Sequence, residues 1–309
     1  MREKIHCCAS KENMNSNQKV QKLQINHDKT CSCPDNHISC IDRKEWCRCQ
    51  FAIWEIFYNR KDIRDKNIHP ATFPIGLPKR CIELFTHKGE LVLDPFVGVG
   101  TTLIAARETG RNAVGFDLND KYIAIVNERL AKMDIPLSEE LTQQIAICDN
   151  AINIPNYLDE NTVALCITSP PYGKALDRKI KNISWRNPQE RPDYNKILQY
   201  SNDPADLGTM EVEEYTEALK AIFKGILPLF KSKAHCVINA ADIWYNGRRC
   251  ALHNYIINAM HEVGYEIRNI IIWDKRKMIH SFCMFGYPSN FIATSSTYEY
   301  ILDFVIRGD

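Results

Sequence analysis

The segment LVLDPFVGVGTT combines residue types that can bind a small organic ligand. Asp94 ends a short apolar run, and Gly98 and Gly100 come just before a predicted helix. Glycines let the backbone approach a ligand closely, and the first turn of a helix offers free N–H groups. Asp117 ends the next apolar run, where a carboxylate can accept hydrogen bonds from both hydroxyls of a ribose. A dinucleotide site is a weaker interpretation, because Leu103 stands where the GxGxxG pattern has its third glycine.

The segment ITSPPYG follows another apolar run and is suited to hold a planar amine. Pro170 and Pro171 end a strand and fix the backbone, so that the carbonyls of Ser169 and Pro170 project in set directions. Tyr172 adds a flat aromatic face on which a base can stack. A Pro-Pro turn with a packed tyrosine is the simpler alternative. Both segments nevertheless fall at the carboxyl ends of predicted strands, which is where open α/β sheets bind ligands.

Cysteines are concentrated near the start of the chain, with seven of the thirteen in the first 49 residues. Two CxC pairs could supply four thiolates to a Zn²⁺ ion, namely Cys31, Cys33, Cys47 and Cys49. Cys40 lies between the pairs, and His37 is a further candidate ligand. Because two residues, not one, usually separate the cysteines of such pairs, we favour free thiols and predict no metal.

A repeating strand–helix pattern positions these segments. Apolar runs predict buried strands at 91–94, 112–117, 144–148, 163–168, 235–240, 267–273 and 298–306. Between them, amphipathic stretches predict helices at 79–86, 101–109, 120–133, 211–230 and 251–263. An aromatic-apolar face predicts one more short helix within 51–68, and the prolines of HPATFPIGLP predict an extended loop. Such alternation indicates an α/β fold, a mainly parallel sheet with helices on both faces.

The composition is that of an ordinary soluble globular protein. The chain has 309 residues, 39 Lys and Arg against 38 Asp and Glu, 45% apolar residues and 25% charged residues, which excludes global disorder. No apolar run reaches the roughly 18–20 residues that a membrane-spanning helix needs. The charged, amide-rich start has no apolar core typical of a secretory signal, so we expect a cytoplasmic protein without a membrane partner.

Together these segments resemble the S-adenosylmethionine-dependent amino-methyltransferases of DNA, the N4-cytosine/N6-adenine family. LDPFVGVGTT is similar to the cofactor motif of that family, and HPATFP to the motif that closes over the methionine end of the cofactor. SPPY is similar to the catalytic tetrapeptide, in the form most associated with N4-cytosine. The resemblance implies a Rossmann-like class I methyltransferase fold with a seven-stranded, mainly parallel sheet. It also implies S-adenosyl-L-methionine as cofactor and double-stranded DNA with a flipped target base as substrate.

The resemblance assigns roles to individual residues. It implies that the target base is held by Ser169, Pro170, Pro171 and Tyr172. It implies that the cofactor is bound by His69, Pro70, Thr72, Phe73, Asp94, Phe96, Gly98, Gly100, Thr101, Asp117 and Asp149. Within that set, the residues from Asp94 to Gly100 would line the methionine part. Asp117 would hold the ribose and Asp149 would lie near the adenine.

The expected reaction is methyl transfer to the N4 of cytosine in DNA, within a restriction-modification system that includes a cognate restriction endonuclease. The alternatives are an N6-adenine methyltransferase, a methyltransferase that acts on RNA or a free base, and a catalytically silent nucleic-acid-binding homologue. Methylation at C5 of cytosine is excluded, because that chemistry takes its thiolate from a Pro-Cys dipeptide and none of the 14 prolines is followed by Cys.

We expect two parts in the chain. Residues 1–59 would form a Cys-rich and partly disordered N-terminal arm, and residues 60–309 the catalytic domain. A loop at 174–209 would contact DNA, since its first half carries six Lys and Arg against two acids. The candidate DNA-binding residues are Lys174, Arg178, Lys179, Lys181, Trp185 and Arg186. The alternative for this loop is a solvated segment without a ligand.

Overall fold

Buried strands alternate with amphipathic helices along most of the chain. The computed structural model describes residues 21–34, 36–64, 68–69, 71–133, 142–173, 203–245, 248–278 and 296–307. Its strands are β1 (Ile53–Trp54), β2 (Leu91–Asp94), β3 (Asn112–Asp117), β4 (Gln144–Cys148), β5 (Val163–Thr168), β6 (Phe230–Ala240), β7 (Ile243–Tyr245), β8 (Arg248–Cys250), β9 (Tyr265–Asp274) and β10 (Tyr298–Ile306). Its α-helices are α1 (Arg43–Cys49), α2 (Gly76–Phe85), α3 (Thr101–Glu108), α4 (Asp120–Ala131), α5 (Val212–Ile226) and α6 (Leu252–Glu262).

One mainly parallel sheet organises the molecule. Its strand order is β1-β9-β10-β6-β5-β2-β3-β4, and β10 alone within it runs antiparallel to both of its neighbours. β7 and β8 form a separate antiparallel pair. The predicted α/β fold is confirmed, and all seven predicted strands lie in this sheet. The sheet has eight strands rather than seven, because the short β1 pairs with the outer edge of β9.

The chain reverses its direction of travel across the sheet between β2 and β5. From β2 it moves outward through β3 to β4, and it then crosses back so that β5 pairs with the other side of β2. Ligands of open α/β sheets bind at such a switch point, outside the carboxyl ends of the strands. The loop after β2 and the loop after β5 therefore meet there.

Two layers of apolar side chains cover the two faces of the sheet. Alternate residues of β2 face opposite sides, so that Leu91 and Leu93 pack with α5 and α6 while Val92 packs with α2, α3 and α4. Burying one such leucine contributes about 1.5–3 kcal/mol, and both layers hold many. This packing fixes the central strands that carry the two loops.

The segment from 51 to 58 differs from its prediction. It contains β1 and irregular backbone, where the sequence analysis predicts a short helix within 51–68. Burial alternates with a period of two: Trp54 and Ile56 are buried, while Ile53 and Glu55 are exposed. The Trp273 indole N–H also donates to the Ile56 carbonyl, at 3.0 Å. Pairing with β9 therefore overrides the helical pattern.

Other differences are smaller. α5 ends at Ile226 because Pro228 follows within the 3₁₀ turn Leu227–Leu229, and β6 already begins at Phe230. The β7–β8 pair was not predicted.

Among the helices that the structure describes, none is long and apolar enough to cross a membrane.

The described part of the predicted N-terminal arm packs on the rest of the chain. The Leu23 N–H donates to the Tyr157 carbonyl, and the Thr30 N–H donates to the Lys88 carbonyl, both at 2.8 Å. The division of the chain at residue 59 stays a prediction.

Candidate active site

A cleft opens at the carboxyl ends of β2 to β5 and, together with the solvent space at its mouth, spans about 850 Å³. Its walls come from four segments that are far apart in sequence: the loop around His69, the glycine loop after β2, the loop after β5, and residues 205–207. The ends of β3 and β4 add one acid each, Asp117 and Asp149.

Asp94 connects the two loops from behind the cleft. Its carboxylate is buried and accepts hydrogen bonds from the hydroxyls of Thr102 and Thr168, both at 2.6 Å, and from the Phe96 N–H at 3.1 Å. Burial raises the pKa of Asp94 to about 6, although these hydrogen bonds oppose the rise. Asp94 thus ties β2 to α3 and to the residue before Ser169, and it does not line the cleft.

The glycine loop lies close to the loop that precedes α2. Gly98 has a φ of 48°, and a Cβ there would lie 2.7 Å from His69 Nε2, so a larger residue would push the two loops apart. Burial lowers the pKa of His69 to about 4, which leaves the ring neutral, and Nδ1 accepts from the Ala71 N–H at 3.3 Å. Gly100 is the N-cap of α3.

Asp117 joins the glycine loop to the end of β3. Its carboxylate accepts from the N–H groups of Gly98 at 3.0 Å and of Asn119 at 2.8 Å. Burial raises the pKa of Asp117 to about 7; these two bonds lower it, and the charges of Asp94 and Asp206 add a smaller rise. Asp117 is therefore an acid that can gain or lose its proton near neutral pH.

Asp149 is held in place by the turn that follows β4. It accepts from the Asn150 N–H at 2.7 Å, from the Asn153 side chain at 3.0 Å and from the Tyr157 hydroxyl at 2.8 Å. Its own N–H donates to the Asp117 carbonyl at 3.1 Å, which sets the two acids side by side.

The loop around His69 is anchored by residues from the predicted arm and its vicinity. The Tyr58 hydroxyl donates to the Thr72 carbonyl at 2.6 Å, and the Thr72 hydroxyl donates to the Ile63 carbonyl at 2.9 Å. An Asp62 carboxylate oxygen accepts from the Ile75 N–H at 2.7 Å. These bonds hold the loop in place where it lines the cleft.

A second cavity, which spans about 840 Å³ including the solvent at its mouth, adjoins the cleft. The two share Ser169 and Tyr172 and also four residues of the loop around His69, namely His69, Ala71, Thr72 and Phe73. The Ser169 hydroxyl lies 3.1 Å from the Tyr172 hydroxyl. The Asn239 amide donates to a Glu299 carboxylate oxygen at 2.8 Å and to the Tyr172 hydroxyl at 3.4 Å, and the same carboxylate pairs with Lys275. The second cavity thus holds polar groups beside the loop after β5.

The side chain of Asn239 also contains an unsatisfied hydrogen-bond acceptor. Its Oδ1 is buried and has no hydrogen-bond partner among the residues that the structure describes. A buried acceptor without a partner costs about 1–3 kcal/mol.

Most of the predicted site residues come together around the cleft. Its lining includes His69, Thr72, Phe73, Phe96, Gly98, Thr101, Asp117, Asp149, Ser169, Pro170, Pro171 and Tyr172. Asp94 and Gly100 lie behind that lining. Outside the described residues are Pro70 and all the candidate DNA-binding residues, Lys174, Arg178, Lys179, Lys181, Trp185 and Arg186. The roles given to these residues stay predictions.

Several lining residues were not predicted. Asp206 is buried in the wall of the cleft, within a segment, YSNDPADLG, to which sequence reasoning gave no role. Asn239, Lys275 and Glu299 line the second cavity at or beside the ends of β6, β9 and β10. The available signal was a polar residue at the end of an otherwise apolar strand, as in VINA and IIWDK.

Comparison with known proteins agrees with this geometry. Residues 2–128 match the model of a family described as DNA methylase, N6_N4_Mtase. The type II methyltransferase M.BglI of Bacillus subtilis is 37% identical over 106 residues, which cover 33% of this chain and 30% of that protein. The type II methyltransferase M.MjaI of Methanocaldococcus jannaschii is 36% identical over 103 residues, covering 31% of this chain and 32% of that protein. Over the matched residues the chain is similar to the N6/N4 DNA methylases. The resemblance inferred from its sequence is confirmed.

The extent of the similarity is limited. The chain spans about a third of the length of these two DNA methylases. The crystal structure of an rRNA methylase from Streptococcus thermophilus aligns with 77% of this chain and 98% of that one, at 14% identity and a TM-score of 0.42. The fold assignment therefore depends on the strand order described above. The family match ends at residue 128, before the Ser169–Tyr172 loop, so the second half of the site depends on its geometry.

Proposed function

We propose that this DNA methylase relative is an S-adenosyl-L-methionine-dependent DNA methyltransferase that acts on the exocyclic N4 of cytosine. The observation that carries the proposal is the shared wall of the two cavities. Ser169 and Tyr172 line both the cleft beside the glycine loop and the second cavity beside Asn239. A cofactor in one cavity and a planar amine in the other would meet at that wall.

The residues of the cleft fit the cofactor. Three carboxylates, Asp117, Asp149 and Asp206, line a cleft that would receive a ligand with a sulfonium and an ammonium group. Asp117 would accept hydrogen bonds from the ribose hydroxyls, and Asp149 would receive the adenine amino group. Gly98 and His69 would enclose the methionine part. S-adenosyl-L-methionine supplies an electrophilic methyl group, which a nitrogen nucleophile takes up as the sulfonium leaves as a thioether.

The loop after β5 would activate the amine. The lone pair of an exocyclic amino group is delocalised into the ring, which makes the nitrogen a poor nucleophile. The Ser169 hydroxyl and the Pro170 carbonyl can accept hydrogen bonds from the two N–H groups of the amine. These bonds would favour a pyramidal nitrogen. Holding that nitrogen in line with the methyl group can supply about 7–11 kcal/mol of the barrier reduction. The methylated nitrogen then loses one proton to a solvent water molecule, which restores its neutral charge.

The second cavity would hold the flipped base. Extrusion from the duplex costs a few kcal/mol, which stacking on Tyr172 partly offsets. Cytosine presents one ring acceptor, N3, beside its amino group and a second acceptor, O2, further along the same edge, whereas adenine presents N1 and N7 on either side of its amino group. The Lys275 ammonium can donate to such acceptors while Glu299 balances its charge. This donor can serve either base, so the choice of cytosine follows the SPPY form of the tetrapeptide.

The proposal also covers the DNA substrate and the restriction-modification system in which the protein would act. The matched relatives are type II methyltransferases by name. We infer that this protein modifies double-stranded DNA in a restriction-modification system, beside a cognate endonuclease. Residues 60–309 would be the catalytic domain, and the basic residues of 174–209 would contact the phosphates.

Mass spectrometry of nucleosides tests the proposal. Duplex DNA of varied sequence is incubated with the protein and methyl-labelled cofactor, and label is expected in N4-methylcytosine. Ser169→Ala should lower turnover about 10²- to 10³-fold, the size found when one transition-state hydrogen bond is lost. Its cofactor dissociation constant should stay within about twofold, because Ser169 faces the amine. Ser232→Ala, on an exposed position of β6, is the matched control.

The other outcomes separate the alternatives. Label in N6-methyladenine would contradict the assignment of the base but keep the cofactor site. Cofactor binding without any labelled nucleoside from DNA would point to an RNA substrate or to a silent homologue. Absence of cofactor binding would overturn the proposal as a whole, and full activity of Ser169→Ala would remove Ser169 from the mechanism.

A further inference from the structure

A group of metal-binding side chains lies away from the cleft, between the N-terminal segment and the turn that follows α2. Cys31, Cys33, Cys40 and His87 place three sulfur atoms and one ring nitrogen within 4.8 Å of one another. This set differs from the one considered in the sequence analysis, because Cys47 and Cys49 lie on α1 and are not part of it. We propose that these four side chains bind one structural Zn²⁺ ion.

The distances agree with tetrahedral coordination. Zn–S bonds of about 2.3 Å and Zn–N bonds of about 2.0–2.1 Å put a sulfur and a nitrogen ligand about 3.5 Å apart. The Sγ of Cys31 lies 3.3 Å from His87 Nδ1, and the Sγ of Cys40 lies 3.5 Å from the same atom. Three thiolates and one imidazole form a ligand set that is typical of structural zinc, whereas Mg²⁺ and Ca²⁺ prefer oxygen.

The orientation of His87 supports the assignment. Its ring is buried, and Nε2 lies 2.9 Å from the His37 carbonyl, to which it can donate. That bond places the proton on Nε2 and leaves the lone pair of Nδ1 facing the sulfur atoms. Histidines that bind a metal nearly always donate their other ring N–H to a carbonyl, a carboxylate or water, and this one has such a partner.

The surroundings stabilise negative charge on the sulfur atoms. The Lys88 N–H donates to the Cys40 Sγ at 3.3 Å, and the backbone N–H of Cys33 donates to the Cys31 thiol. A Zn²⁺ ion with three thiolates and a neutral imidazole carries a net charge of about −1. The buried Arg111 guanidinium lies close enough to interact electrostatically with both Cys31 and Cys40, so that it can balance this charge.

The proposed ion would fasten the N-terminal segment to the catalytic part of the chain. Three of its ligands come from residues 31–40, and the fourth, His87, lies between α2 and β2. The backbones are already in close contact there, since a Cβ on Gly89 would lie 2.5 Å from Thr30 Cγ2 and 2.7 Å from the Asp28 carbonyl oxygen. The N-terminal segment therefore packs directly against this turn, and the ion would fix it there.

Metal analysis of the full chain tests the inference. Protein purified under reducing conditions without chelators should contain about one zinc per chain. Cys31→Ser, Cys40→Ser and His87→Ala should each lower that content at least about tenfold, because the loss of even a residue that only hydrogen-bonds to a ligand usually lowers metal affinity about 10- to 100-fold. Cys47→Ser and Cys49→Ser are the matched controls, since they remove neighbouring thiols that lie outside the group, and they should retain the metal.

Cobalt substitution gives a second measurement that does not depend on mutant folding. Adding Co²⁺ to the metal-free, reduced wild-type protein should produce sulfur-to-cobalt charge-transfer bands and the visible bands of a tetrahedral site. His87→Cys should keep the metal and strengthen the charge-transfer bands, because it adds a fourth thiolate. Neither measurement requires methyl transfer, so a failure here is distinct from a failure of the proposed function.

Three results would overturn the inference. The first is wild-type protein that neither carries zinc nor gives the tetrahedral cobalt spectrum. The second is a disulfide among Cys31, Cys33 and Cys40 in protein kept under reducing conditions. The third is zinc that is lost from Cys47→Ser and Cys49→Ser but kept by Cys31→Ser and His87→Ala.

Discussion

The affinity of the protein for its proposed cofactor should depend on the protonation of Asp117. Burial raises the pKa of this acid to about 7, well above the ordinary value of 3.8. Only the carboxylate form can accept hydrogen bonds from both ribose hydroxyls while it also accepts from Gly98 and Asn119. Cofactor binding should therefore release a proton at low pH, and the affinity should rise with pH.

The expected magnitude follows from the pKa. The apparent dissociation constant is the intrinsic one divided by the ionised fraction of Asp117. That fraction is about 0.9 at about pH 8 and about 0.1 at about pH 6, so the affinity should fall about tenfold between them, or about 1.4 kcal/mol. Asp117→Asn should bind more weakly at high pH, and its affinity should lack this tenfold change.

Equilibrium binding of S-adenosylhomocysteine, measured by calorimetry across this pH range, is the assay. The amino group of the ligand also titrates near this range, but it contributes equally to wild type and variant. The ratio of the two dissociation constants therefore isolates Asp117. A ratio that stays constant with pH, or wild-type binding that tightens on acidification, would refute the reasoning.

The same acid should influence stability. Because its folded pKa is raised, the protonated form favours folding, and the wild-type free energy of unfolding should fall as pH rises from about 4 through about 7. A shift of about three pKa units corresponds to at most about 4 kcal/mol. Without ligand, Asp117→Asn should therefore melt at a higher temperature than wild type at about pH 8, and that advantage should be less than half as large at about pH 5. Equal melting curves at both values would contradict this assignment of the pKa.

Two other perturbations test the surroundings of the site. Tyr58→Phe removes a hydrogen bond that holds the loop around His69, and a loss of about 1 kcal/mol should weaken cofactor binding about fivefold; Tyr255→Phe, on an exposed position of α6, should leave the dissociation constant unchanged. The double change Lys179→Glu and Lys181→Glu should weaken DNA binding and reduce its salt slope by about two, measured by fluorescence anisotropy, and an unchanged slope would place the phosphate contacts elsewhere.

The sequence was informative wherever the determinants are local. Apolar runs located the central strands to within a few residues, because buried parallel strands are apolar on both faces. The two loops could be identified because glycines and prolines restrict the backbone by themselves. The predicted helix within 51–68 was wrong, because pairing of Trp54 with β9 depends on a contact more than 200 residues away in the chain.

Features that depend on the order of strands could not be predicted. β10 inserts between β6 and β9, and this places Glu299 beside Asn239 and Lys275, which are otherwise distant in sequence. No local pattern reports such an insertion. The same holds for the cysteine group: His87 lies 56 residues after Cys31, so ligand spacing alone directed attention to Cys47 and Cys49.

The buried Asp94 carboxylate has a consequence for the coupling of the two substrates. It is bonded at once to Thr102, in the first turn of α3, and to Thr168, which directly precedes Ser169. A ligand that orders the glycine loop therefore also restricts the position of the Ser169 hydroxyl without touching it. The effect passes through the two hydrogen bonds that Asp94 accepts. Such coupling is reciprocal, because each ligand must change the affinity for the other by the same factor. The cofactor and the target base should then bind with positive cooperativity, and Asp94 would act as the mechanical link between them.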